Sequence, residues 1–275
     1  MYAAGIVLYN PEEERLKENI NAIGCQVDYI VLVDNGSKNI ETIKKFYNND
    51  QKIAIIENHR NNGIAAALNQ IMKYCAAHGT KWVLTLDQDS VCPGNMIGEF
   101  SKYVVETNTG IICPWIRDRN DKYEANIDKN VEEINQCITS GSLVSAAMWK
   151  NVGKFDEKMF IDMVDFEFCA RVKQAGYRIL RVNSVQLLHE CGNLKVVRIG
   201  ERNIQVTNHS PIRCYYYAKN VVYCHKKLPN IFTLRWKNKF LIEKILKILL
   251  FEQYKSDKLK AVIKGWRDGK RMLLD

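Results

Sequence analysis

Two nucleotide-binding signatures are missing from this chain of 275 residues. It has no G-x-G-x-x-G after its first apolar segment and no G-x-x-x-x-G-K-S/T anywhere, which disfavours dinucleotide oxidoreductases and P-loop NTPases. Its nine cysteines form no C-x-x-C pair and no Cys/His cluster with the spacing of a zinc site. We therefore expect free thiols in a reducing cytoplasm.

Long apolar runs are missing as well. No uninterrupted apolar stretch reaches the roughly 20 residues that a helix needs to cross a bilayer. The first residues, 1–5, lead directly into an apolar segment, without the basic region and cleavage site of a signal peptide. We therefore expect a cytoplasmic protein without a membrane-spanning helix.

Excess positive charge is confined to the C-terminal end of the chain. Residues 1–212 carry 24 basic and 26 acidic side chains, whereas residues 213–275 carry 16 basic and 5 acidic ones. With 47% hydrophobic residues, the chain is globular and long enough for one α/β domain with an appendage, or for two small domains. The asymmetry predicts an anionic surface as partner of the tail, either a membrane or a nucleic acid. The near-neutral body argues against nucleic acid.

Short β-branched runs alternate with helical patterns over the first ninety residues. The pattern predicts strands over 4–9, 29–33, 53–56 and 82–86, and helices over 12–23, 41–47 and 63–78. This alternation is typical of a parallel sheet with right-handed crossovers. In such sheets ligands bind outside the carboxyl ends of the strands, where we expect Asn10, Asp34, Asp87 and Asp89.

Asp87 and Asp89 directly follow the fourth predicted strand. Because side chains alternate along a strand, both carboxylates point the same way, and a hard cation bound to a polyphosphate would satisfy both. A strand end closed by an Asx turn is the alternative. A nucleotide fits the remaining groups: Asp34 could accept from a ribose hydroxyl or a base N–H, and Gly63 lets the backbone approach a ligand closely.

Seven segments, taken in order, resemble one enzyme family. They are 7–11, 33–37, 61–69, 86–90, 139–142, 153–157 and 160–171. Together they resemble the inverting GT-A glycosyltransferases of family 2, and within that family the bacterial rhamnosyltransferases. The resemblance covers about residues 3–220. It implies an α/β GT-A domain over 1–212, a Rossmann-like and mostly parallel sheet flanked by helices, followed by a helical, basic amphipathic extension over 213–275.

The resemblance also implies an activity and a set of site residues. Such enzymes move a sugar from a nucleotide diphosphate sugar donor to a hydroxyl, with Mg²⁺ or Mn²⁺ as cofactor. Asp89 matches the metal-binding aspartate, and His189 stands where many of these enzymes place a further metal ligand, although a solitary histidine can equally be structural. The implied donor-binding residues are Tyr9, Asn10, Asp34, Asn62, Gly63, Asp87 and Gln88. The implied acceptor-side residues are Ser140, Gly141, Asp162 and Glu167.

Asp165 matches the catalytic base of the family. Inversion in a single displacement needs one carboxylate that takes the proton of the acceptor hydroxyl. The family segment reads Glu-Asp-x-Asp, whereas residues 164–167 read Val-Asp-Phe-Glu, so the first acid is missing here. Asp162 is the rival base. The alternative for both is an acid at a helix N-terminus, favoured by the helix dipole.

The resemblance further implies dTDP-rhamnose as donor, with a UDP-hexose as the alternative, and a lipid-linked saccharide of a bacterial surface polysaccharide as acceptor. A sugar nucleotidyltransferase is disfavoured because Tyr9, Asn10 and Pro11 stand where a Gly-rich phosphate loop would be expected. Residues 234–254 predict a basic amphipathic helix. This helix would contact the inner face of the cell membrane peripherally, or dock on the catalytic domain or on a second copy in a homodimer.

Overall fold

A computed structural model describes residues 1–118, 129–189, 195–199 and 202–274 of the chain. The chain forms two compact units. The first consists of Met1–Lys158 and Val164–Glu190, and the second of Met159–Met163 and Cys191–Asp275. The domain division predicted between residues 212 and 213 stays a prediction.

Strands and helices alternate through the first unit. Its elements are β1 (Tyr2–Leu8), α1 (Glu13–Gly24), β2 (Tyr29–Asp34), α2 (Ile40–Tyr47), β3 (Ile53–Glu57), α3 (Ile64–Ala77), β4 (Trp82–Asp87), α4 (Met96–Ser101), β5 (Thr109–Asp118), β6 (Val131–Ile134), β7 (Ser142–Ser145), α5 (Ala146–Asn151), α6 (Val164–Gln174) and β8 (Arg178–His189). The four strands and three helices predicted for the first ninety residues match β1 to β4 and α1 to α3 within a few residues.

The strands of the first unit form an eight-stranded sheet in the order β3-β2-β1-β4-β7-β5-β8-β6. Strands β1 to β4 are parallel, β7 is antiparallel to both β4 and β5, and β5 and β8 are again parallel. The predicted α/β class with a mostly parallel sheet flanked by helices is confirmed. Since Leu8 pairs with Asp34 and Val7 pairs with Asp87, the ends of β1, β2 and β4 meet at one edge.

The core of this unit lies between the sheet and its helices. Strand residues such as Ile6, Leu32 and Leu84 are fully buried, and each contributes about 1.5–3 kcal/mol through removal of its side chain from water. Helix α3 packs against β1 so closely that a Cβ at Gly5 would lie 2.1 Å from Cγ2 of Ile71. The tightly packed sheet therefore provides a rigid base for the loops at its edge.

The second unit contains β9 (Lys195–Ile199), β10 (Arg202–Val206), α7 (Pro211–Lys227), α8 (Leu234–Phe251) and α9 (Lys255–Arg271). Helix α7 begins at Pro211 after Ser210, whose Oγ caps the first turn. Helix α9 packs on α7 through Gly265 and Gly269. A Cβ at Gly265 would lie 2.2 Å from the carbonyl oxygen of Tyr215, and a Cβ at Gly269 would lie 2.4 Å from that of Lys219. None of the helices in the described part of the chain combines the length and apolar character that crossing a bilayer requires.

Candidate active site

Asp34 shapes the loop that follows β2. The residue is fully buried, and its carboxylate accepts hydrogen bonds from the backbone N–H groups of Gly36 at 2.9 Å and Ser37 at 3.0 Å. Gly36 adopts a left-handed φ of +81°, and a Cβ there would lie 3.0 Å from Cα of Arg60. These bonds form an Asx turn. The predicted contact of Asp34 with a nucleotide stays a prediction.

Side chains connect the loops after β1, β2 and β4. The N–H of Tyr9 donates to Oε1 of Gln88 at 2.8 Å, and the N–H of Asn10 donates to Oγ of Ser37 at 2.8 Å. Asn10 itself has a left-handed φ of 48°, a conformation that asparagine tolerates. Its Oδ1 accepts from the N–H of Lys38 at 2.9 Å. The structure thus brings the predicted donor-binding residues of three loops to one edge of the sheet.

An amide cluster holds Gly63 at the start of α3. Nδ2 of Asn35 donates to the carbonyl oxygen of Gly63 at 3.2 Å, and Nδ2 of Asn58 donates to Oδ1 of Asn35 at 3.1 Å. Gly63 has φ 87° and precedes the first turn of α3. Asn62, beside it, is half-buried and accepts from Nε of Arg60 at 3.2 Å. Sequence reasoning missed Asn58 because its contacts appear only in the folded chain.

The backbone of the segment with two aspartates is fixed from two sides. Nδ2 of Asn19 donates to the carbonyl oxygen of Asp87 at 2.7 Å, and the N–H of Asp87 donates to Oγ of Ser140 at 3.1 Å. Oγ of Ser140 also lies 2.7 Å from Oγ of Ser90, and both serines are buried. Ser140, predicted on the acceptor side, therefore also positions the segment that contains Asp89.

The carboxylates of Asp87 and Asp89 are hard oxygen donors on half-buried residues. Mg²⁺ is usually bound through one or two carboxylates, with substrate phosphates and water completing its shell, and Mn²⁺ favours the same ligand types. The described residues contain no group of three or more His, Cys, Asp or Glu side chains able to hold a metal. Two carboxylates completed by a diphosphate fit such a cation. The side chain of His189 lies outside the described residues.

Gly141 lies where a side chain has no room. Its N–H donates to the carbonyl oxygen of Thr85 at 2.8 Å, and its φ is +80°. A Cβ here would lie 2.7 Å from Cδ2 of Leu187 and 2.9 Å from Cγ of Pro114. Only glycine combines this backbone conformation with this spacing.

Helix α6 carries Asp165 in its first turn and Glu167 two residues later. Asp165 is half-buried, and its Oδ1 accepts from the N–H of Phe166 at 2.9 Å. Glu167 is fully buried, and its two oxygens accept from Nε and Nη2 of Arg171, each at 2.7 Å. Arg171 also donates to the carbonyl oxygen of Val152. The carboxylate of Glu167 thus helps to hold α6 against the preceding loop, and its predicted place on the acceptor side stays a prediction.

Asp162 belongs to the second compact unit. Its Oδ1 accepts from Nη2 of Arg213 at 2.7 Å, and Nδ2 of Asn220 donates to the carbonyl oxygens of Ile161 at 2.8 Å and Asp162 at 2.9 Å. Asp162 and Met163 both have left-handed φ values, 65° and 66°. The rival base is therefore held in an ion pair within an unusual backbone conformation.

An open cavity of about 260 Å³ lies beside Ser140. Its wall is mainly apolar and aromatic, and includes Trp115, Ile138, Cys137, Phe166 and Arg181. Cζ of Arg181 lies 4.3 Å from the ring centroid of Trp115, a cation–π contact. An apolar wall with a few polar groups is typical of small-molecule sites. Sequence reasoning missed this cavity because its residues come from β5, β6, α6, β8 and the segment before β7.

Residues 4–165 match the model of the family described as Glycosyl transferase family 2. The chain belongs to this family. This glycosyltransferase is also 32% identical to the dTDP-rhamnosyl transferase RfbF of Shigella flexneri over 286 residues, which cover 98% of this chain and 95% of that protein. The predicted enzyme, a hexosyltransferase of family 2 similar to rhamnosyltransferases, is confirmed.

Solved structures of two other proteins share the fold. The structure of GalNAc-T7 with UDP, GalNAc and Mn²⁺ aligns with a TM-score of 0.63 at 14% identity, covering 99% of this chain and 56% of that chain. Residues 1–349 of S. aureus TarS in complex with UDP-GlcNAc align with a TM-score of 0.62 at 15% identity, covering 98% of this chain and 80% of that chain. The predicted GT-A fold of this family 2 glycosyltransferase is confirmed.

Proposed function

We propose that this glycosyltransferase transfers L-rhamnose from dTDP-β-L-rhamnose to a hydroxyl of a lipid-linked saccharide, with inversion and with Mg²⁺ or Mn²⁺ as cofactor. The observation that supports dTDP-rhamnose as the donor is the 32% identity with dTDP-rhamnosyl transferase RfbF over nearly the whole of both chains. A UDP-hexose donor is the alternative, since the solved neighbours were obtained with UDP or UDP-GlcNAc.

The donor would bind at the edge where the loops after β1, β2 and β4 meet. Tyr9, Asn10 and Gln88 are exposed or half-buried there, and the hydrogen bonds among the loops preorganise them. Asp87 and Asp89 would hold the cation, with the oxygens of the diphosphate as further ligands. When bound, the cation supplies positive charge that stabilises the departing diphosphate. The buried contacts of Ser140 keep the aspartate segment in position.

Asp165 would act as the base. It is half-buried at the start of α6, so its carboxylate is accessible to a hydroxyl, and it lines a small recess together with Cys137 and Phe168. The ion pair with Arg213 makes Asp162 the weaker candidate, because the guanidinium already occupies its Oδ1. Asp165 takes the proton of the acceptor hydroxyl as the new glycosidic bond forms.

The cavity beside Ser140 is the proposed acceptor site. Asp165 directly precedes Phe166, and Phe166 lines this cavity together with Ser140. The ring of Trp115 offers an apolar surface to the C–H face of a sugar, while Arg181 and Ser140 offer donors to its hydroxyls. An acceptor bound in this cavity would bring its hydroxyl close to the first turn of α6.

Contact with an anionic membrane would bring the enzyme to a lipid-linked acceptor. In α8 the apolar side chains Ile242, Leu246 and Leu250 are 55%, 49% and 63% exposed. They lie one turn apart on one face, within a segment of 16 basic and 5 acidic residues. An exposed apolar row within a basic segment is the pattern of a helix that lies in a membrane surface. A homodimer that covers the same row is the alternative.

A donor screen tests the proposal. The purified chain is incubated with dTDP-rhamnose, UDP-glucose or UDP-galactose, with Mg²⁺, Mn²⁺ or EDTA, and donor binding and slow hydrolysis are measured. We expect binding and hydrolysis with dTDP-rhamnose in the presence of metal, and a loss of both with EDTA. Preference for a UDP-hexose would overturn the donor, and equal activity in EDTA would overturn the metal.

A further inference from the structure

Three cysteines of the first compact unit meet beside the proposed acceptor cavity. Sγ of Cys137 lies 3.7 Å from Sγ of Cys169, and Cys113 is a further hydrogen-bond partner of Cys137. Oγ of Ser142 lies 3.5 Å from Sγ of Cys137. The three residues come from β5, the segment before β7, and α6, so only the folded chain brings them together.

Cys137 is the thiol that hydrogen-bonds with both of the other two cysteines. Hydrogen bonds from Cys113 and Cys169 hold the pKa of Cys137 well below its usual range. The same hydrogen bonds, together with burial, raise the pKa of Cys113 and of Cys169. The guanidinium of Arg181 adds positive charge close to Cys113. Since the thiolate is the nucleophile, Cys137 is the reactive member of the cluster.

The three thiols also differ in accessibility, and Cys137 is the most accessible of them. Cys137 is half-buried and lines the open cavity of about 260 Å³, whereas Cys113, which also lines it, and Cys169 are buried. A small oxidant that enters the cavity therefore meets Cys137 before Cys169. The short distance between the two sulfurs then brings a second thiol within reach of the product.

We propose that Cys137 is an oxidative modification site, at which a peroxide in the cavity forms a sulfenic acid that Cys169 resolves to a disulfide bond. In the first step the thiolate of Cys137 attacks one peroxide oxygen, the O–O bond breaks and hydroxide leaves, so that the sulfur loses two electrons. In the second step the thiolate of Cys169 attacks the sulfenic sulfur and hydroxide leaves. The two hydroxides and the two thiol protons form two molecules of water.

The disulfide would link the two elements that carry the acceptor-side residues. Cys137 lies three residues before Ser140, and Cys169 lies four residues after Asp165, one helical turn along α6. Reaching the bonded distance of about 2.05 Å needs only a small approach of the two sulfurs. The link would restrain the segment of Ser140 against α6 and slow sugar transfer. This effect on transfer rests on the proposed function, whereas the chemistry of the thiols does not.

Mass spectrometry of the full chain tests the proposal. The folded protein is treated with hydrogen peroxide, remaining thiols are alkylated with iodoacetamide, and digested peptides are analysed without reduction. We expect a peptide pair linked through Cys137 and Cys169, and its loss after treatment with dithiothreitol. Cys25, which is exposed, is the internal control, and Cys137 should be oxidised ahead of it because a second thiol lies beside Cys137 to resolve its sulfenic acid.

Serine variants separate the two steps. Cys169→Ser should stop at a sulfenic acid on Cys137 that dimedone traps, and Cys137→Ser should leave Cys113 and Cys169 reduced. A free Cys137 thiol in peroxide-treated wild type, or oxidation of Cys25 ahead of Cys137, would overturn the modification site. A link between Cys113 and Cys137 alone would overturn the resolving role of Cys169. If the link forms but the reduced protein transfers no sugar from any donor, the proposed function fails and the modification site stands.

Discussion

A buried ion triad in the second compact unit should dominate the stability of its helices. Glu252 directly follows α8 and is fully buried, and its carboxylate accepts from Nζ of Lys244 at 2.9 Å and Nζ of Lys258 at 2.8 Å. Lys258 also donates to Oδ1 of Asn208 at 2.6 Å. Both lysines are buried as well. A single carboxylate therefore pairs with two ammonium groups that are shielded from water.

Glu252→Gln keeps the shape of the side chain and removes its charge. Removal of one partner from a buried ion pair costs about 3–5 kcal/mol, because the remaining charge stays buried without compensation. At about 2–4 °C per kcal/mol, Tm should fall by roughly 6–20 °C. Thermal unfolding followed by circular dichroism measures the fall, and amide hydrogen exchange should locate it in α8 and α9.

Glu243→Gln in the same helix is the matched control. Its carboxylate is half exposed and lies 3.8 Å from Nζ of Lys239. An exposed pair of this spacing contributes about 0.3–0.5 kcal/mol, so this variant should unfold almost as the wild type does. Equal Tm values for the two variants would refute the reasoning, since they would show that the triad adds nothing beyond a surface pair.

The difference in Tm between wild type and Glu252→Gln should change with pH in a defined direction. Burial alone would raise the pKa of Glu252, but hydrogen bonds from Lys258 and Lys244 outweigh burial and hold the pKa below its ordinary value. The stabilisation is therefore complete above the unfolded pKa of about 4.3 and is lost as pH falls through the lower folded value. The Tm gap between Glu252→Gln and wild type should stay constant from about pH 5 to 8 and narrow below about pH 4. A gap that widens in acid would contradict the assignment.

Three further experiments test the function. In steady-state kinetics, Asp165→Asn should lower turnover by roughly two to four decades with donor binding nearly intact. Asp162→Asn should lower turnover much less. The reverse order of the two effects would make Asp162 the base. In calorimetric titration, Asp89→Ala should abolish metal-dependent donor binding. The control variant Asp257→Ala, at an exposed aspartate, should bind the donor as wild type does. Undiminished donor binding by Asp89→Ala would show that Asp89 is not a metal ligand. The combined variant Ile242→Ser, Leu246→Ser and Leu250→Ser should sediment less with anionic vesicles than the wild type does. Val105→Ser, at another exposed apolar residue, is the control. Unchanged sedimentation together with a smaller oligomer would favour the homodimer.

The parallel half of the fold could be predicted because its signals are local. The β-branched runs and the helical patterns between them lie within short windows, and β1 to β4 follow them closely. The antiparallel insertion of β7 between β4 and β5 could not be predicted in this way. It depends on pairs such as Leu84 with Leu143, which are far apart in sequence and are selected by packing.

In the candidate site, too, features with a local sequence signal could be predicted and long-range contacts could not. Asp87 and Asp89 could be located from their position at a strand end, because the ends of parallel strands meet at one edge. The contacts of Asn19 and Ser140 with the backbone of Asp87 could not, because each joins residues more than fifty positions apart. Glu167 and Arg171 lie four residues apart, a spacing that permits an ion pair on a helix, but the full burial of Glu167 could not be predicted from that spacing.

Helix α8 shows why periodicity alone does not decide which face is buried. The sequence predicts one broad apolar face formed by the rows 241, 245, 249 and 242, 246, 250. The structure buries a different stripe, formed by Leu241, Lys244 and Ile248, and of the predicted face Ile242, Leu246, Leu249 and Leu250 stay exposed. A lysine could take a buried position because Glu252 neutralises it, and this compensation is not apparent from helical periodicity. The apolar row that stays exposed, with the basic residues around it, is the surface that a membrane or a second copy of the chain would cover.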